Sequence, residues 1–192
     1  RSTQSRSSAA SDVYKRQMQE HGLKISELVT LFNLEVLNRG SDYDTALLTI
    51  TDVNRPGLQF HSFYDYFDPR RLQVLGKAEI TYLKGLTTEQ RRKCFDDLFL
   101  YDIPALVISR GLDCFPECLE SARVHERTLL RTEETTVEFT SHTIEYLNRV
   151  LAPCVTRHGV LLDISGEGVM ITGDSGIGKS ESAIELIMRG HR

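Results

Sequence analysis

The sequence has little that would place the protein in a membrane, in a disulfide scaffold or on nucleic acid. It contains no run of about 18 consecutive apolar residues, the length that a membrane-spanning helix needs. Only four cysteines occur in 192 residues, well below the density of small disulfide-linked domains. Lys and Arg number 23 against 27 Asp and Glu, so no basic field attracts nucleic acid. These absences favour a soluble cytoplasmic protein with free thiols.

The pattern between residues 23 and 152 is typical of a small α/β sheet domain. The chain is 40% apolar, enough for a core, and strand-like segments alternate with helix-like ones. Strands are predicted at 46–53, 72–75, 105–109 and 128–131, and helices at 23–37, after Thr87, from Pro116 and at 135–151. Thr87 and Gln90 have capping-box spacing. The last helix is expected to bury Val137, Ile144, Leu147 and Leu151.

Three clusters in this domain have both a structural and a functional interpretation. The aromatic residues between 60 and 67 are expected to be core rather than a binding surface. The basic run 91–93 lies on the polar side of a predicted amphipathic helix and is expected to be solvated. Cys114, Cys118 and His125 lack the usual spacing of zinc ligands, so we expect no metal there.

The first 17 residues differ in composition from the rest of the chain. They contain five Ser, three Arg, one Lys and a single acid, Asp12, with no apolar periodicity. A secretory signal would need an apolar segment, whereas an organelle transit peptide would be Arg- and Ser-rich. We interpret residues 1–17 as a read-through or expression scar ahead of a natural start at Met18, with a transit peptide as the alternative.

After Pro153 the sequence predicts a phosphate-binding loop. Apolar strands at 160–164 and 169–172, joined by a turn at 166–168, precede the loop, and an amphipathic helix follows it. The loop, Gly173-Asp174-Ser175-Gly176-Ile177-Gly178-Lys179-Ser180, fits G-x-x-x-x-G-K-[ST] at every fixed position. Its backbone amides and the helix N-terminus can hold phosphate oxygens. Lys179 supplies charge to the outer phosphates, and the Ser180 hydroxyl can bind Mg²⁺.

Weaker interpretations of this region remain open. A glycine-rich turn that binds nothing is the structural alternative to the phosphate loop. A dinucleotide fingerprint is excluded because Glu181 stands where its third glycine would be. His158 directly precedes the first strand of the hairpin. From spacing alone it is a surface or structural histidine more often than an active-site group.

The loop lies within a longer stretch of distinctive sequence. That stretch reads Arg157-His158-Gly159-Val160-Leu161-Leu162-Asp163-Ile164, then Gly166-x-Gly168-Val169-x-Ile171-Thr172, and continues through the loop to Glu181-Ser182-Ala183. Upstream are Asn54-Arg55-Pro56-Gly57-Leu58, Tyr64-x-Tyr66-Phe67 and Gln73-Val74-Leu75-Gly76-Lys77-x-Glu79. Together these residues resemble the bacterial HPr kinase/phosphorylase family, from about Leu23 to Arg192.

The resemblance implies a bifunctional enzyme of bacterial carbon catabolite regulation. Such an enzyme transfers phosphate from ATP or pyrophosphate to a serine of the phosphocarrier HPr and reverses the transfer by phosphorolysis. It implies a hexamer with two domains, here an N-terminal α/β domain at 18–152 and, at 153–192, the start of a P-loop kinase domain related to phosphoenolpyruvate carboxykinase. By resemblance, residues 173–180 are the nucleotide loop, Lys179 and His158 are active-site residues, and Ser180 binds Mg²⁺.

The same resemblance places further catalytic groups beyond the sequence. The family's catalytic Asp follows shortly after the equivalent of His191-Arg192, and its second metal ligand lies further on. Serine attack on phosphate needs a proton acceptor, so we expect residues 18–192 alone to be inactive. Two alternatives stay open. One is a general P-loop NTPase, and the other is a nucleotide-sensing module without chemistry.

Overall fold

The computed structural model describes residues 22–153 and 158–192. Residues 1–21 and 154–157 lie outside the described part, and with them the interpretation of the first 17 residues. The chain divides into two compact units, one ending at Ala152 and the other running from Pro153 to Arg192. No helix in 22–153 or 158–192 is long and apolar enough to cross a membrane.

The first unit is an α/β fold built on a five-stranded sheet. Its strands are β1 (Leu23–Lys24), β2 (Glu35–Asn38), β3 (Leu47–Leu48), β4 (Val53–Asn54), β5 (Leu72–Leu75), β6 (Leu106–Ile108) and β7 (Leu129–Arg131). Its helices are α1 (Ile25–Leu31), α2 (Lys77–Lys84), α3 (Thr88–Phe99), α4 (Pro116–Val124) and α5 (Thr136–Val150), with a 3₁₀ turn at Gln59–His61. The sheet order is β2-β7-β6-β5-β4; β4 to β7 are parallel, and β2 runs antiparallel to β7.

Both faces of this sheet are covered, which explains why its middle strand, β6, is apolar at every position. Val74, Val107 and Leu130 face a cluster that includes residues of α1 and α5. Leu75, Ile108 and Leu129 belong to a second cluster with residues of α2, α3 and α4. The predicted α/β sheet domain is therefore confirmed as helices on both sides of a mostly parallel sheet.

Several local predictions are confirmed and several are wrong. The Thr87 hydroxyl accepts from the Gln90 amide at 3.3 Å, and the Gln90 side chain accepts from the Thr87 amide at 3.0 Å, as the capping box predicts. The helix predicted at 23–37 is shorter, because Leu23–Lys24 pairs with Leu47–Leu48 as a strand. In place of the single strand predicted at 46–53, the structure has the short strand β3, Leu47–Leu48, and the first residue of β4, Val53.

Two predictions of burial also fail. Val137 is 71% exposed, because the buried face of α5 runs through Thr136, Phe139, Thr143 and Leu147 instead. In the aromatic run, Phe60 is buried, but Tyr66 is fully exposed and has a left-handed φ of 65°. The run therefore contributes the buried Phe60 and the partly buried Phe67 to the core and leaves Tyr66 in solvent.

Gly40 is fixed by the backbone of the turn before β7. A Cβ added at Gly40 would lie 2.4 Å from the Glu126 carbonyl oxygen and 2.8 Å from the Thr128 amide nitrogen. Backbone atoms cannot move aside cheaply, so we expect Gly40→Ala to lower the free energy of unfolding by about 2 kcal/mol. Gly57→Ala is the matched control, because a Cβ there meets no atom within 4 Å. Equal urea midpoints for the two variants would contradict the prediction.

The second unit is a hairpin followed by one helix. Strands β8 (Gly159–Ile164) and β9 (Glu167–Thr172) pair antiparallel from Gly159↔Thr172 to Ile164↔Glu167. Helix α6 (Lys179–Met188) follows the loop, with Ala183 as its buried residue. The strands and helix occur where the sequence predicts them, although the turn consists of Ser165 and Gly166, because Glu167 already belongs to β9.

Candidate functional site

The candidate phosphate loop joins β9 to α6, the strand-to-helix context that a phosphate-binding loop requires. Gly173 directly follows the last residue of β9, and Gly178 is the N-cap of α6. The terminal pair of the hairpin is Gly159↔Thr172. His158 directly precedes this pair on one strand, and Gly173 directly follows it on the other. The hairpin thus brings His158 to the end of the ladder where the loop begins.

Two glycines of the loop have backbone conformations that other residues avoid. Gly176 has φ of 83° and Gly178 has φ of 95°, both in the left-handed range that glycine adopts without steric cost. A Cβ added at Gly176 would meet no heavy atom within 4 Å, so the loop has open space beside it. Gly178, which is a fixed glycine of the motif, and Gly176, which is at a variable position, are therefore both suited to the shape of the loop.

Lys179 folds back over the loop that precedes it. Its Nζ donates to the carbonyl oxygens of Gly173 at 2.8 Å and of Asp174 at 2.6 Å. Lys179 is the first residue of α6, and the exposed Ser180 is the second. The ammonium group thus lies at the loop, where its charge can meet an anion.

The loop fits a phosphate group by its donors and by its charge. The first amides of α6 have no carbonyl partner one turn earlier within the helix, and the N-terminal end of a helix favours anions. The Nζ of Lys179 adds a full positive charge. The Ser180 hydroxyl is an oxygen ligand of the kind that Mg²⁺ accepts beside water and phosphate oxygens. Asp163 is engaged elsewhere, since its Oδ1 accepts from the Gly166 amide at 2.7 Å.

Cys114, Cys118 and His125 of the first unit belong to no metal-binding group among the described residues. Within 22–153 and 158–192 no group of three or more His, Cys, Asp and Glu side chains is placed to hold a metal ion. The side chain of His125 faces Asp96, and its Nε2 lies 3.4 Å from Asp96 Oδ1.

Sequence analysis missed a buried polar cluster at the carboxyl ends of β5 and β6. Glu79 Oε2 accepts from the Gly76 amide and from Arg55 Nη2, both at 2.9 Å. The Ser109 hydroxyl lies 2.7 Å from Thr136 Oγ1. Burial would raise the pKa of Glu79, but the bonds from Arg55 and Gly76 outweigh it and lower that pKa. The spacing of Gly76 and Glu79 was the sequence signal that could have revealed this cluster. It indicates a helix cap in which the Glu79 carboxylate accepts from the amide at the N-terminus of α2.

Both parts of the chain match models of one protein family. Residues 23–147 match the family described as HPr Serine kinase N terminus. The chain belongs to the HPr serine kinase family. Residues 149–192 match the HPr Serine kinase C-terminal domain, and this match contains the whole hairpin, loop and helix. The resemblance proposed from the sequence is confirmed.

The curated relatives of this HPr serine kinase family member share one name, HPr kinase/phosphorylase. A protein named HPr kinase/phosphorylase from Alkaliphilus metalliredigens is 47% identical over 169 residues, covering 88% of this chain and 54% of the relative. One of the same name from Clostridium beijerinckii is 46% identical, covering 89% and 56%. The chain thus spans about half the length of the curated relatives it matches.

One solved structure shows a weak likeness to the chain. It contains the CBS and DRTGG domains of the regulatory region of Clostridium perfringens pyrophosphatase, at 12% identity and a TM-score of 0.47. The match covers 78% of this chain and 69% of that chain. This likeness is too weak to bear on the fold.

Proposed function

We propose that this chain carries the nucleotide loop of a cytoplasmic HPr kinase/phosphorylase that takes part in carbon catabolite regulation. The enzyme transfers phosphate from ATP or pyrophosphate to a serine of HPr and removes it by phosphorolysis, and it works as a hexamer. The observation that carries the proposal is the glycine loop between β9 and α6 with the Lys179 ammonium folded onto it. The reaction that we assign to the loop is inferred from the family to which the chain belongs. Residues 153–192 belong to a P-loop kinase domain related to phosphoenolpyruvate carboxykinase.

Each residue of the loop has a role in this proposal. The amides of residues 173–180 hold the phosphates, and Lys179 exchanges its bonds to the loop carbonyls for bonds to phosphate oxygens. Ser180 holds Mg²⁺, which when bound neutralises charge on the phosphates. His158, at the end of the hairpin, contacts a phosphate oxygen. The general NTPase and the sensing module share this loop, so an acceptor assay is needed to separate them from the kinase.

The test is calorimetric titration of this chain with Mg-ATP and with Mg-pyrophosphate. We expect Lys179→Ala to weaken binding about tenfold or more, the loss of one charge-assisted hydrogen bond. Lys77→Ala is the matched control. Lys77 also follows a glycine and begins a helix, but it lies in the first unit. Unchanged affinity in Lys179→Ala would overturn the assignment.

The acceptor assay uses purified HPr and ATP with the same chain. Because the resemblance places the proton acceptor outside this sequence, we expect binding without phosphoserine on HPr. Serine phosphorylation by residues 18–192 would contradict the expected inactivity. Hydrolysis of ATP or GTP without HPr would favour the general NTPase instead.

A further inference from the structure

A cavity of about 340 Å³ lies between the end of α1 and helix α5 in the first unit. Leu31, the last residue of α1, and Phe32, its C-cap, line the cavity on one side. The α5 residues of the lining have the spacing i, i+3, i+4 and i+7, which places them on one stripe of the helix: His142, Glu145, Tyr146 and Arg149. Sites for small molecules have volumes of about 300–1,000 Å³, so this cavity suits a small ligand.

The apolar part of the lining is aromatic and is fixed to the core. The rings of Phe32 and Tyr146 meet edge to face, with centroids 6.3 Å apart and an interplanar angle of 83°. Phe32 makes the same kind of contact with the buried Phe139, at a centroid separation of 5.7 Å. Leu31 is 47% exposed beside these rings. An apolar group in the cavity covers Leu31 and parts of both rings, and the burial of that surface favours binding.

Two opposite charges line the same cavity without pairing. Glu145 and Arg149 are one helical turn apart, a spacing at which such residues can form an ion pair. Within 22–153 and 158–192, however, no salt bridge involves either residue. The Arg149 guanidinium lies instead over the Tyr146 ring, with its central carbon 5.0 Å from the ring centroid. This contact uses the face of the guanidinium, so its N–H groups remain available to an anion.

We propose that this cavity binds a free α-amino acid with a large apolar side chain. The carboxylate of the amino acid accepts from Arg149, its ammonium donates to Glu145, and its side chain packs against Leu31 and the two rings. A simple anion would meet the Glu145 carboxylate as well as Arg149, and a simple cation would meet Arg149 as well as Glu145. A zwitterion with an apolar side chain is therefore the ligand that complements the whole lining.

The test is a titration of the isotope-labelled chain with L-phenylalanine, followed by the amide chemical shifts. We expect saturable shifts in α1 and α5. Three further probes each lack one recognised group: phenethylamine lacks the carboxylate, phenylpropionate lacks the ammonium, and L-alanine lacks the ring. Each is expected to bind at least about tenfold more weakly than L-phenylalanine. The proposal is overturned if L-phenylalanine gives no saturable shifts in these helices, or if any of the three probes binds equally well.

Two variants and a control assign the roles of the charged residues. We expect Arg149→Ala to weaken the binding of L-phenylalanine about tenfold. Arg39→Ala is the matched control, because Arg39 also lies over a tyrosine ring, that of Tyr43 at 4.6 Å, but does not line the cavity. Equal affinities in these two variants would contradict the proposal.

Glu145→Gln separates the two ends of the ligand. We expect this variant to bind L-phenylalanine more weakly and phenylpropionate more tightly than wild type does, because the carboxylate that repels the second probe is gone. A change of the same sign for both probes would refute the role of Glu145. Both Glu145 and Arg149 are exposed, and the amide spectrum of each variant verifies its fold. The probe series on the wild-type chain decides the proposal even if a variant fails to fold.

Discussion

Replacing Arg91 by alanine is expected to lower the free energy of unfolding by about 3 kcal/mol. Arg91 binds Glu117 Oε1 through Nη2 at 2.7 Å and through Nε at 3.1 Å, and its Nη1 donates to the Leu86 carbonyl at 2.7 Å. The two side chains are 17% and 8% exposed. The pair ties the start of α3 to the start of α4. Without the guanidinium, a buried carboxylate would be left with no opposite charge.

Two further variants separate this effect from the loss of a surface charge. Arg92→Ala is the matched control, because the Arg92–Glu120 pair is about half exposed on both sides and such pairs contribute about 1 kcal/mol or less. Arg91→Met combined with Glu117→Leu removes both charges, and we expect it to recover most of the loss. Urea unfolding followed by circular dichroism measures all three. Equal midpoints for Arg91→Ala and Arg92→Ala would refute the argument.

The stability that the Arg91–Glu117 pair contributes is expected to depend on pH. The hydrogen bonds from Arg91 lower the pKa of Glu117 in the folded protein. A depressed folded pKa adds stability above the unfolded value of about 4.3, and this stability is lost as the pH falls through the folded pKa. The difference between wild type and Arg91→Ala is therefore expected to be full at neutral pH and to shrink in acid.

Arg91 also shows where sequence reasoning about the fold ends. The spacing of α3 places Arg91 on the polar side of the helix beside Arg92, and nothing local separates the two residues. Their difference comes from Glu117, which is distant in the chain and pairs with Arg91, whereas Arg92 pairs with the exposed Glu120. By contrast, the cap at Thr87 was predictable because both partners lie within one helical turn.

The prediction of which residues of α5 are buried was limited in the same way. Val137 has the apolar character of a core residue, but the tertiary structure buries Thr136 and Thr143 and leaves Val137 in solvent. The Thr136 hydroxyl lies 2.7 Å from the hydroxyl of Ser109, the residue that directly follows β6. Polar residues with distant partners can thus occupy a core face, and hydrophobic spacing alone cannot identify them.

The candidate site was more predictable because its donors are contiguous. The residues from Gly173 to Ser180 are contiguous in the sequence, and the structure gives a positive φ to the fixed Gly178 of the motif and also to Gly176. The contact of Lys179 with the Gly173 and Asp174 carbonyls could not be read from the motif. The position of His158 depended on the hairpin register, which the strand pattern only suggested.

Replacing Phe95 by alanine is expected to cost about 4 kcal/mol of unfolding free energy, the range for a large aromatic side chain lost from a core. Phe95 is completely buried and packs against three rings, those of Phe60, Phe99 and Phe115, with centroid separations of 5.8, 6.3 and 6.4 Å. These rings come from the 3₁₀ turn, from α3 and from the residue before α4, so one deletion loosens three elements.

The matched control for Phe95 is Phe63→Ala. Phe63 is 45% exposed, and we expect its removal to cost about 1 kcal/mol or less. Phe95→Leu keeps most of the volume, so its cost is expected to fall between the two alanine variants. The chain has no tryptophan, so unfolding in urea is followed by circular dichroism. If Phe95→Ala and Phe63→Ala shared one urea midpoint, Phe95 could not be the centre of this core, because a fully buried ring and a half-exposed one would then contribute equally.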